Sequence, residues 1–99
     1  MKPMDNLQGI AIPYFTEVEW IAARAVMEDG HTFHDSYADF VKGVEQAEIK
    51  LRREGQATIR INIDTAQFAD WCRQRGRKIN AESRGAYAAF IAAKNDTGR

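Results

Sequence analysis

His31 and His34 stand three residues apart, beside Glu28, Asp29, Asp35 and Asp39. Imidazoles and carboxylates bind metals, but a closed site needs at least three ligands that converge. Here His31 is expected just before a helix cap and His34 in the first turn, so the two rings need not meet. Acids in a first turn already have a role, because they complement the positive end of the helix dipole. The pair is therefore a weak metal candidate, and no cofactor is implied. Cys72 lies next to Arg73 and near Arg75, and neighbouring cations can activate a thiol. Its place four residues after Phe68 puts it instead on an apolar helix face, as a small buried hydrophobe. The chain has no phosphate-binding glycine loop, no G-x-S-x-G and no paired-histidine zinc helix. No catalytic residue is assigned, and a small enzyme ranks third among the functional classes.

Helix signals explain how these residues would be positioned. Thr16 and Glu19 have the spacing of a capping box, and Phe15 and Trp20 that of a hydrophobic staple, which starts a helix at 17. It is expected to run to 29 and to end on Gly30 as a left-handed cap. Val18, Ile21, Ala22, Ala25 and Val26 form its apolar stripe, widened by Trp20, Ala23 and Met27. A second helix is expected over 33–54, opened by Thr32, with Phe33, Tyr37, Phe40, Val41, Val44, Ala47 and Leu51 on one face. Glu48 and Arg52 form an i, i+4 pair in the favoured order. Residues 57–63 then alternate isoleucine with Thr58, Arg60 and Asn62, the pattern of a half-buried strand. Asp64 and Asn80 cap two further helices, at 65–75 and 81–94. Ala81, Tyr87, Phe90 and Ile91 face inward on the last of these. Its Gly85 and many alanines make it thin and suited to close packing.

The fold class is thus α+β and helix-rich, in a single domain of 99 residues. Residues 1–13 form a partly ordered N-terminal segment, 14–55 an acidic helical half, 56–95 a basic strand-helix-helix half, and 96–99 a tail. A lone strand cannot satisfy its backbone groups. Strand 57–63 must pair either with the same strand of a second chain, making a homodimer, or with Gly9–Ile12, whose run Pro13 stops.

The order strand, helix, GRKIN turn, helix over residues 57–95 resembles the ribbon-helix-helix DNA-binding proteins. In that family two chains pair their strands into a ribbon that enters the major groove. The resemblance implies that Thr58, Arg60 and Asn62 read base edges while the isoleucines face the core. It also implies a phosphate held at the start of the last helix, by Asn80 with Arg77, Lys78 and Arg84. Separately, residues 71–90 look like segments of short bacterial proteins without an assigned function.

Charge divides the chain. Residues 1–49 carry nine acids and three bases, and residues 50–99 eleven bases and five acids, for a net charge of zero. The basic half could face duplex DNA, the acidic helices could face a protein partner, or one half could neutralise the other. The leading functional class is a small binding module, with a DNA-binding regulator as its concrete form and a protein–protein accessory role as the alternative. One cysteine excludes an intrachain disulfide, and no run suits a signal peptide or a membrane span. A cytoplasmic location is therefore expected.

Overall fold

The computed structural model describes residues 9–32 and 35–97; Met1–Gln8, Phe33, His34, Gly98 and Arg99 lie outside them. The elements, in chain order, are β1 (Ile10–Tyr14), α1 (Glu17–Val26), a short 3-10 turn (Gly30–Thr32), α2 (Tyr37–Arg53), β2 (Thr58–Asn62), α3 (Thr65–Gln74) and α4 (Ala81–Thr97). This is a small α+β fold. No helix among the described residues is long and apolar enough to cross a membrane.

The strand finds its partner within the chain. β1 and β2 pair in parallel, with Ile10 opposite Thr58 and Tyr14 opposite Asn62. Parallel pairing requires a crossover, which α1 and α2 supply. Pro13 does not end β1 as its type suggested. In this register residues 10, 12 and 14 bond to β2, so the missing N–H of Pro13 falls on the outer edge, where no ladder bond is lost.

Helix starts follow their caps. Thr16 Oγ1 accepts from the Glu19 amide at 3.4 Å, Asp64 Oδ1 from the Gln67 amide at 2.9 Å, and Asn80 Oδ1 from the Ser83 amide at 3.0 Å. α2 follows a cap other than the expected one. It opens at Tyr37, later than the expected residue 33, because Ser36 is the cap and accepts from the Asp39 amide at 3.1 Å. α1 stops at Val26 rather than 29, and Gly30 is not a left-handed cap. A Cβ on Gly30 would collide with the Arg24 carbonyl oxygen, so close approach is what requires glycine here. Among the described residues the left-handed glycines are Gly9, which leads into β1, and Gly55 and Gly76, which follow α2 and α3.

The core joins both halves of the chain: Ile12, Phe15, Trp20, Ala23, Met27, Phe40 and Val44 with Ile63, Phe68, Cys72 and Tyr87. In α1 the buried residues are Trp20, Ala23 and Met27, while Val18 is 76% and Ile21 59% exposed. The stripe expected to face inward therefore faces out. The helix is apolar on two sides, and the staple turns the side with the larger side chains into the core: Phe15 is fully buried and Trp20 nearly so. In α4 the inward side is Ser83, Tyr87 and Ala88, while Ala81 and Phe90 are exposed. Gly85 plays no part in close packing, because a Cβ there would meet nothing within 4 Å.

Candidate functional site

β2 carries the three residues expected to read bases, and its surroundings are asymmetric. Thr58, Arg60 and Asn62 stand opposite Ile10, Ile12 and Tyr14 and share their face of the sheet. α2 lies over that face, bringing Phe40 to within 5.8 Å of the Tyr14 ring, centroid to centroid. Arg60 is held there. Its Nε donates to Glu48 Oε2 at 2.8 Å and its Nη2 to Glu48 Oε1 at 2.9 Å. Its guanidinium also lies 4.9 Å from the centre of the Tyr14 ring. This bond from Arg60 is the main reason the Glu48 carboxyl is pulled below its ordinary value, and the same bond raises Arg60. The partner of Glu48 is thus Arg60 and not the expected Arg52, whose charge is only a minor influence on that carboxyl. The strand brings the guanidinium close enough for a two-pronged bond, which an i, i+4 neighbour on an exposed helix seldom matches.

Beside this pair, the Tyr37 hydroxyl donates to the Phe15 carbonyl at 2.8 Å and lies 3.2 Å from the Tyr14 hydroxyl. The Tyr14 contact, followed by burial, pushes the Tyr37 phenol up to about 12.

The backbone of β2 has two edges. Ile10 N–H donates to Ala57 O at 2.8 Å and Ile63 N–H to Tyr14 O at 2.9 Å. With the register, these bonds turn the N–H and C=O groups of residues 57, 59, 61 and 63 toward β1. Those of Thr58, Arg60 and Asn62 point outward. Among the described residues no group bonds to them. The outer edge of β1, by contrast, is interrupted by Pro13.

The start of α4 holds the remaining residues from the sequence reading. Arg77, Lys78, Asn80, Glu82 and Ser83 line a shallow depression of about 180 Å³. Its donors are largely taken. Asn80 bonds the Ser83 amide, Asp29 Oδ2 accepts from the Ala81 amide at 3.1 Å, and the Asn80 carbonyl accepts from the Arg84 amide at 2.9 Å. Arg77 Nε donates to Ser83 Oγ at 3.2 Å. Arg84 is half-buried; burial pulls its guanidinium down, and the Asp29 charge opposes that. These bonds bring Asn80 and Arg77 together around Ser83, with a carboxylate from the acidic half where a phosphate was expected.

Asp29 makes one such link, and Glu19 makes another. Glu19 Oε1 accepts from the Thr65 amide at 2.8 Å, and the Glu19 carbonyl accepts from Thr65 Oγ1 at 2.9 Å. The side chain read as half of a capping box on α1 thus caps α3 instead. With Glu48 on Arg60, the acidic half answers the basic half at two helix starts and one strand.

Among the described residues, no three metal-binding side chains come together. His31 is exposed. Cys72 is fully buried, and burial pushes its thiol up against the smaller opposing effects of Ser83, Arg77 and Arg73. Comparison with protein-family models, curated proteins and solved structures finds no match.

Proposed function

We propose that this chain is a small non-enzymatic interaction module that works as a homodimer joined along the outer edges of β2. The observation that carries this reading is the row of outward backbone groups on Thr58, Arg60 and Asn62. An edge of this kind is a template for another strand, and proteins commonly guard it with a free charge, a proline or a bulge. β2 has no proline, and its one charge, on Arg60, is neutralised by Glu48.

Chemistry also narrows the register. An antiparallel pair centred on Ile61 sets Arg60 opposite Asn62 of the second copy, and each such pair exchanges two backbone bonds. A pair centred on Arg60 would set two guanidiniums face to face, which is unfavourable. The resulting sheet has four strands, with the β1 strands outside.

Duplex DNA has less support as a partner. To read bases, Arg60 would have to leave both Glu48 and the Tyr14 ring, and α2 lies over the same face of β2. At the start of α4, Asp29 and Glu82 oppose a phosphate. The reading predicts that duplex DNA is not retained near physiological salt.

Sedimentation of the wild type and Asn62→Pro tests the proposal. Proline on the outer edge removes an outward donor and leaves the β1 ladder intact. The expected result is a dimer at micromolar concentration for the wild type and a folded monomer for the variant. A wild type that stays monomeric at every concentration overturns the proposal.

A further inference from the structure

The exposed stripe of α1 has no role in the dimer. Val18, Ile21, Ala22, Ala25 and Val26 lie along one side of the helix and all are exposed, Val26 by 40%. Scattered surface aliphatics are ordinary, but a contiguous stripe on a single helix marks an interaction surface. Beside it runs a groove of about 440 Å³ between α1 and α3. Ala22, Val26, Ala66 and Ala69 supply its apolar lining, and the small alanines leave room for side chains from outside.

The charge around the groove selects the occupant. Glu19, Asp64 and Asp70 line it against a single base, Arg73. Asp70 and Arg73 neutralise each other across 2.8 Å. Glu19 and Asp64 bond to backbone amides, which leaves their negative charge in place. Glu17 adds an exposed acid at the start of the stripe. A second copy would bring the same acids against themselves.

We infer that the α1–α3 groove binds a cationic amphipathic helix of a different protein. Aliphatic side chains at i, i+3 and i+4 fill the groove between Ala22 and Ala69, and flanking lysines or arginines meet Glu17, Glu19 and Asp64. This site lies on elements other than the β2 edge, so each face can work without the other.

The test titrates isotopically labelled full-length chain with a synthetic leucine–lysine amphipathic helix, and separately with a twin carrying glutamate in place of lysine. The lysine peptide is expected to shift the amide signals of Val18, Ile21, Ala22, Val26, Ala66 and Ala69, and the glutamate peptide is not. Ala22→Ser combined with Val26→Ser, both exposed and lining the groove, is expected to weaken binding by about tenfold or more. Asn62→Pro is expected to bind the peptide as the wild type does, which separates this site from the dimer edge. Equal binding of the two peptides, shifts confined to other surfaces, or an unchanged serine double variant would overturn the inference. So would a change of oligomeric state in that variant, because it would make a second copy the occupant.

Discussion

The Glu48 carboxylate and the Arg60 guanidinium meet through two parallel hydrogen bonds, 2.8 and 2.9 Å long, across the face shared by α2 and β2. Arg60 is also stacked on Tyr14, the residue that closes β1. One side chain therefore ties together a helix and both strands. That anchoring removes the free charge that would otherwise guard the outer edge of β2, so the ion pair links the fold to the proposed function.

The pair makes stability depend on acid in a defined sense. The Glu48 pKa is lowered in the folded chain, so its contribution is present above the ordinary carboxylate value of 4.5 and is lost as pH falls through the folded value. Arg60 is partly exposed, so solvent screens the pair and the effect is modest. Thermal unfolding of wild type and Glu48→Gln across acid pH checks this. The gap between them is expected to be widest near neutrality and to shrink below 4.5.

Two carboxylates of the acidic half cap helices of the basic half, and each can be removed singly. Glu19→Ala frees the Thr65 amide, and Asp29→Ala frees that of Ala81. Each is expected to cost about 1 kcal/mol, the usual scale for a lost N-terminal cap. Because they serve different helices, the double variant should come close to the sum. Urea unfolding of the three variants measures this.

Two glycines predict opposite signs. Gly85 lies inside α4 with open space around its missing Cβ, so Gly85→Ala is expected to stabilise by about 0.5–1 kcal/mol. Gly30→Ala is expected to destabilise, because its Cβ would press on the Arg24 carbonyl. Thermal midpoints of the two variants decide it.

Cys72 is fully buried and its thiol is pushed up by that burial. It is expected to react with a thiol-specific reagent only at the rate at which the chain unfolds. Prompt reaction of the native protein would show an accessible thiolate instead.

Local chemistry made most of the architecture legible. Thr16, Asp64 and Asn80 marked three helix starts, and the alternation from Ile59 to Ile63 marked β2. Rotation of α1 was not legible. Its residues carry two apolar sides, and periodicity ranks them alike; only the fit of Trp20 and Met27 into the shared core decides between them. Pro13 misled because its effect depends on which edge it faces, a property of pairing and not of sequence. The partners of Arg60, Thr65 and Ala81 lie 12, 46 and 52 residues away, beyond any local spacing rule. The charge division between the halves was the only trace of them.

The most direct test of the β2-edge dimer is residue-resolved amide exchange of the wild type at low and high protein concentration. Ile59, Ile61 and Ile63 donate toward β1 and should be protected equally in both samples. Arg60 and Asn62 donate outward, and their protection should rise with concentration as strands pair between copies. Fast exchange at Arg60 and Asn62, unchanged by concentration, would contradict the account.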